Sequence, residues 1–188
     1  MKLIIVRHGE TEANKAGIIQ GHIDEELNEE GIAQAKKVAL RLKEEKIDFV
    51  FASDLKRAAD TARNIASYHR SAPFKIDKRL RERCHGEYEG KKAQELDWCI
   101  PAEKRGAETR EDILKRAEDF LVEILANHGT SSVLFVCHGG IGKALISVIT
   151  KIELDKLEHL HNTSVSIFEI NEDKSHNINL LNCAKHLE

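Results

Sequence analysis

The sequence predicts a three-layer α/β/α fold with a mainly parallel central sheet. Short runs of Leu, Ile, Val and Phe stop abruptly at polar residues, helical repeats lie between those runs, and several of the repeats open on capping residues. Strands that alternate with helices have both faces covered, and such strands read as continuous apolar runs.

Leu3-Ile4-Ile5-Val6 is the first such run and stops at Arg7-His8-Gly9. After a candidate cap at Asn28, Ile32, Ala35, Ala39 and Leu42 recur at helical spacing. Phe49-Val50-Phe51-Ala52 is the second strand and ends at Ser53-Asp54. Ala58, Ala62 and Ile65 continue as a helix; with Asp54 as its cap, Arg57 lies in the first turn. Residues 90–109, which include Trp98, Cys99 and Pro101, are the least regular. They suggest a short helix with loops, forming either a small cap over a site or a surface connection. The clearest helix carries Ile113, Leu114, Ala117, Leu121, Ile124 and Leu125, with Thr109 and Asp112 resembling its capping box and Gly129 after its end. Val133-Leu134-Phe135-Val136 is the third strand and stops at Cys137-His138-Gly139-Gly140. A helix over 141–149 follows, then strand-like segments at 165–170 and 178–181 separated by Asn171-Glu172-Asp173.

A chain of 188 residues is long enough for one domain with a full core, so a single domain over 1–188 is expected. The net charge is −3 and 32% of residues are charged, without a basic block for nucleic acid or an acidic tail. The N-terminal apolar run is broken at Arg7, too short for a signal peptide or a membrane span, so a cytoplasmic location is expected. The four cysteines, Cys84, Cys99, Cys137 and Cys183, form no C-x-x-C pair and suit free thiols in a reducing compartment. Nothing in the sequence specifies an oligomeric state.

Open α/β sheets bind ligands at the carboxyl ends of their strands. Two strands here deliver a histidine followed by glycine at that end, His8-Gly9 and His138-Gly139. Glycine lets a backbone N–H approach a ligand closely. The helix after Gly139-Gly140 offers free N–H groups and a dipole to an anion. Arg57, in the first turn after the second strand, can reach back toward the same edge. His8, His138, Arg7, Arg57 and a helix N-terminus all favour negative charge, and guanidinium forks match phosphate oxygens in pairs. Phosphoryl transfer needs a nucleophile and a proton donor as well. A histidine with one unprotonated ring nitrogen supplies the first. The donor should come from the glycine-punctuated segment 80–90. Glu82 is the best candidate, although position alone does not separate it from Glu87 or Glu89.

Arg7-His8-Gly9-Glu10-Thr11 with Asn14 resembles the signature of the histidine phosphatase superfamily, the phosphoglycerate mutase-like family. So do Ser53-Asp54-Leu55-Lys56-Arg57-Ala58 running on to Thr61-Ala62, Leu80-x-Glu82 with Gly86 and Glu89-Gly90, and His138-Gly139-Gly140. The four blocks stand in the family's order, and weaker similarity continues to Asn162-Thr163-Ser164. The resemblance implies a phosphoglycerate mutase-like fold and a phosphomonoesterase acting on a small phosphorylated metabolite. His8 would attack phosphorus and become phosphohistidine. Arg7, Arg57 and His138 would clamp the phosphoryl oxygens. Asn14 and the backbone near Gln20, Gly21 and Gly139 would add hydrogen bonds. Glu82 would protonate the leaving oxygen and then activate water. Neither metal nor cofactor is implied. Cys137 departs from the family's usual Ser or Thr, and Cys84-His85 from its polar or aromatic pair.

Two mimics fail. Gly139-Gly140-Ile141-Gly142-Lys143 lacks the first glycine of a nucleotide phosphate loop, and Ala144 replaces its Ser or Thr. Cys137 followed by Lys143 lacks the arginine a cysteine phosphatase needs. His22, His69, His128, His159, His161, His176 and His186 default to structural or surface roles; His22 is the exception, in a loop expected to face the pocket. His85 and Tyr88 are further candidates to line it, and Arg63, Arg81 and Arg83 suit solvated faces or structural pairs. Mutase-type transfer is the alternative within the family, but residues 90–109 are few and the chain ends soon after the last strand. A less enclosed site admits water and favours hydrolysis. A metal-dependent hydrolase using His8, His138 and Glu82 would set its cation beside Arg7 and Arg57. A phosphate-binding module without turnover would not need every catalytic position filled.

Overall fold

The computed structural model describes residues 1–171, 173 and 175–188. Glu172, in the turn expected between the last two strands, lies outside the described residues. Strands β1 (Lys2–Arg7), β2 (Phe49–Ala52), β3 (Phe74–Ile76), β4 (Ser132–Cys137), β5 (Val165–Ile170) and β6 (His176–Cys183) form one sheet in the order β3-β2-β4-β1-β5-β6. The first four of that order run parallel; β5 pairs antiparallel with β1, and β6 antiparallel with β5. The chain is thus a mainly parallel α/β protein, as expected, with an antiparallel hairpin closing one edge.

Strand alternation sorts the core into two halves. Leu3, Ile5, Phe51, Val133, Phe135 and Phe168 pack with α4 (Arg110–His128) and α5 (Gly139–Thr150). Ile4, Val6, Val50, Leu134, Val136 and Ile167 pack on the other face with α2 (Glu29–Leu42) and α3 (Lys56–Ala66). Every strand residue from Leu3 to Val6 and from Ser132 to Cys137 is buried, which is why these runs contain no alternating polar positions.

Asn28 caps α2 by accepting from the Gly31 N–H, and Thr109 with Asp112 forms the capping box of α4. Other expectations need correcting. Asp54 does not cap α3. The cap position is Leu55, with no side-chain bond, and Asp24 from a distant loop accepts the Lys56 N–H at 2.7 Å while Asp54 pairs with Arg81. Gly129 ends α4 in ordinary helical conformation, at φ −55°, rather than as a left-handed cap. Strand β3 and the five-residue helix α1 (Glu12–Ala16) are too short to leave a periodic signal. Residues 90–109 contain no α-helix, only 3₁₀ turns at Ala93–Glu95 and Glu103–Arg105. Arg105 pins them, its guanidinium 4.2 Å from the Tyr88 ring centroid and 5.4 Å from that of Trp98.

Candidate active site

Register brings the two histidines together. Arg7 lies opposite Cys137 at the ends of β1 and β4, so the next residues, His8 and His138, emerge side by side. Their ring centroids are 5.0 Å apart, and both side chains are almost wholly buried. His8 Nδ1 lies 2.6 Å from the Gly9 carbonyl oxygen. A carbonyl only accepts, so Nδ1 carries the proton and Nε2 keeps its lone pair. His138 takes the opposite tautomer. Arg57 Nε donates to its Nδ1 at 3.2 Å, and its Nε2–H faces Ser53 Oγ at 2.9 Å. Burial above all, and then the neighbouring arginines, hold both imidazoles well below the usual histidine range; both are neutral.

Arg57 is fully buried and donates to the carbonyls of Ile23 at 2.7 Å and Gly21 at 2.8 Å. Those bonds draw the loop around Gln20 over the histidines. Gly21 has φ +50°, a left-handed conformation that favours glycine, and a Cβ there would displace the Glu89 side chain. Arg7 donates one NH1 proton to the Leu160 carbonyl, while its Nε is buried without a partner. Burial lowers both guanidinium pKa values and the charge of Glu82 raises them again; both groups remain cations. Gln20 Oε1 is likewise buried without a partner.

The helix N-terminus expected to bind an anion is already occupied. Glu82 Oε1 accepts from the backbone N–H groups of Gly140 at 2.8 Å, Ile141 at 3.3 Å and its own neighbour Arg83 at 2.8 Å. Gly140 has no side chain because a Cβ would stand 2.5 Å from that oxygen. The other glycine turn also has a different cause. The Gly9 N–H donates to Thr61 Oγ1 at 3.0 Å, and a Cβ on Gly9 would stand 2.5 Å from the Gly31 carbonyl oxygen. Gly9 therefore admits helix α2 rather than a ligand. Among the three acidic candidates, Glu87 is exposed and Glu89 accepts the His85 N–H at 2.9 Å, whereas Glu82 lies beside the histidines in the cleft.

The Glu82 segment is splinted from behind. His22 Nε2–H donates to the Glu82 carbonyl at 2.8 Å. Arg116 donates to the carbonyls of Arg79, Arg81 and Glu82 while pairing with Glu108 at 2.7 Å. Sequence reasoning passed over Arg116. Its signal is a cation between Ile113 and Ala117, inside the apolar stripe of α4. Ser53 and Thr61, which hold His138 and the Gly9 turn, stand in the second block without roles of their own.

The cleft has a volume of about 520 Å³. Arg7, His8, Asn14, Gln20, Gly21, Arg57, Glu82 and Gly139 line it, as do His85, Ala93, Trp98, Lys143 and His159. His138 is fully buried beside Arg57 with both ring nitrogens engaged, so a direct hold on a phosphoryl oxygen would have to displace Arg57 or Ser53. Arg63 and Arg81 are in pairs with Asp60 and Asp54. Cys137 is fully buried and burial pushes its thiol far up, which suits a core residue and not a nucleophile. No three His, Cys, Asp or Glu side chains come together as a metal-ligand group among the described residues, and no described helix is long and apolar enough to cross a membrane. A neutral histidine with a free ring nitrogen, two guanidinium groups and a carboxylate on one wall can accept a phosphoryl group and move a proton.

Residues 3–183 match the histidine phosphatase superfamily (branch 1). The chain is 34% identical to phosphoglycerate mutase-like protein 4 of Arabidopsis thaliana, covering 100% of this chain and 87% of that protein. It is 35% identical to the metal-independent phosphoserine phosphatase of the same plant, covering 92% of this chain and 78% of that protein. Among solved structures, mycobacterial glucosyl-3-phosphoglycerate phosphatase in complex with VO3 superposes with a TM-score of 0.88 at 26% identity, covering 97% of this chain and 99% of that one.

Proposed function

We infer, for a chain that belongs to the histidine phosphatase superfamily (branch 1), how its phosphomonoesterase chemistry is divided among its residues. His8 Nε2 attacks phosphorus, the P–N bond forms, and the bond from phosphorus to the ester oxygen breaks. Glu82, entering the step as the carboxylic acid with its proton on Oε2, gives that proton to the departing oxygen, while Oε1 stays held by the backbone N–H groups. Water then attacks the phosphohistidine while Glu82 takes up the water's proton, returning His8 to its starting state. Arg7 Nε, the Asn14 amide and the Gly139 N–H hold the phosphoryl oxygens, and Arg57 adds charge from behind the Gly21 loop. His138 contributes through Arg57 Nε and its ring against His8. The observation that carries this reading is the His8 Nδ1–H bond to the Gly9 carbonyl at 2.6 Å, which leaves Nε2 unprotonated in a cleft that Arg7 and Arg57 also line.

The substrate is a small phosphomonoester whose alcohol carries a further negative charge. Lys143 and Arg83 line the same cleft, and relatives take their names from phosphoserine and glucosyl-3-phosphoglycerate. Residues 90–109 form its outer wall through Ala93 and Trp98, within one domain over 1–188. Four unpaired cysteines support a cytoplasmic setting. The test is phosphate release across a metabolite panel in chelator, with vanadate as inhibitor and acid-labile phosphate mapped in quenched enzyme. Hydrolysis with label on His8 is expected. Label on another residue would overturn the nucleophile assignment, and transfer to monophosphoglycerate outrunning hydrolysis would make the chain a mutase.

A further inference from the structure

Asn14 lines the cleft, but its amide can face a phosphoryl group with either its NH₂ or its oxygen, and only the NH₂ helps. Two bonds settle which. The Thr11 N–H donates to Asn14 Oδ1 at 3.3 Å, as the capping box of α1 requires. The second donor is Asn162, whose Nδ2 reaches Asn14 Oδ1 at 3.3 Å and the His8 carbonyl oxygen at 3.0 Å. Neither assignment is arbitrary. The Thr11 N–H can bond only an acceptor, so the Asn14 atom facing it is oxygen, and the His8 carbonyl can bond only a donor, so the Asn162 atom facing it is nitrogen. Both protons of the Asn14 NH₂ are then directed away from these partners.

Asn162 is itself held rigidly. The next residue, Thr163, is buried with φ +54°, a left-handed conformation uncommon for threonine, and its N–H points at the Arg7 and His8 carbonyls at 3.1 and 3.3 Å. The segment from Asn162 to Thr163 thus grips the backbone of both residues expected to meet the phosphoryl group. Asn162 does not line the cleft.

We propose that Asn162 is a positioning residue: it fixes the Asn14 amide so that its NH₂ faces the phosphoryl group, and ties that amide to the backbone of His8. This rests on the reading that His8 receives the phosphoryl group. A five-residue helix with one long capping bond holds the amide weakly alone, and Asn162 supplies the second donor that makes the reversed amide costly.

The test is a double-mutant cycle with Asn162→Ala and Asn14→Ala, read as the inhibition constant of vanadate, with thermal unfolding checked in parallel. Each single substitution is expected to weaken vanadate about tenfold, as loss of a hydrogen bond to a charged ligand does. The double variant is expected to be little weaker than Asn14→Ala. Wild-type affinity in Asn162→Ala, or two effects that multiply, would overturn the proposal. If Asn162→Ala does not fold, Asn162→Asp serves in its place, since a carboxylate accepts from the Asn14 NH₂ and turns the amide round. Vanadate must then weaken by more than tenfold with Asn14 present, and by markedly less in the Asn14→Ala background; equal losses would overturn it. Acid-labile phosphate off His8 in the unsubstituted enzyme would sink the underlying reading instead, independently of the cycle.

Discussion

His8 and His138 start from the same circumstances. Each follows a strand with a buried interior, the two strands running parallel to each other; each precedes a glycine, each is buried and neutral, and their ring centroids are 5.0 Å apart. They differ in their partners. His8 spends one ring nitrogen on its own neighbour's carbonyl and keeps the other free, while His138 spends one on Arg57 and the other on Ser53. Residue type, burial and strand position do not distinguish the proposed nucleophile from its proposed support. The second hydrogen bond does.

The largest effect should come from deleting the free nitrogen. His8→Ala is expected to abolish turnover and phosphohistidine together, whereas His138→Ala should slow turnover by about 10²-fold or more yet still label His8. Rapid quench with acid-labile phosphate mapping reads both, and loss of label in both variants would erase the distinction drawn above. Next comes the carboxylate that serves the His8 side. Glu82→Gln should slow leaving-group departure by about 10²–10⁴-fold with vanadate affinity largely kept. A poor leaving group should suffer more than p-nitrophenol, and equal losses would move the proton to another donor. The smallest effect tests what the two histidines share. Both are held below their unfolded value of about 6.5, so below that pH the unfolded chain binds more protons. Stability is therefore full above about pH 6.5 and falls as pH drops, by up to about 1.4 kcal/mol per pH unit for each histidine. Urea denaturation at pH 7.5, 6 and 5 should show that slope, and His138→Asn should flatten it; an unchanged slope would mean His138 is charged in the fold.

The strands that carry the site were legible because burial on both faces leaves them uniformly apolar, and a polar residue at their end is then conspicuous. His8, His138, Arg7 and Arg57 came from that contrast together with the block resemblance. The resemblance singled out Glu82, which position alone left level with Glu87 and Glu89. The remainder was not legible, because it depends on contacts distant in sequence. Nothing near Asp24 marks it as the cap of a helix beginning at Lys56, and nothing near Arg116 shows that it will hold three carbonyls of the acid loop. The function expected of Gly9 was wrong for the same reason: its neighbour, Gly31, is invisible to a local pattern.

That glycine pair reaches beyond catalysis. A Cβ on Gly31 would sit 2.0 Å from the Glu10 carbonyl oxygen, and one on Gly9 would sit 2.5 Å from Gly31's own carbonyl. Two main chains meet there with no room for even a methyl group. For anyone reshaping this enzyme toward new substrates, a helix residue outside the cleft is thus as constrained as the cleft itself, where a Cβ added at Gly139 would stand 3.6 Å from Glu82 Oε2 and 3.8 Å from Arg7 Nε, in the space proposed for the phosphoryl group.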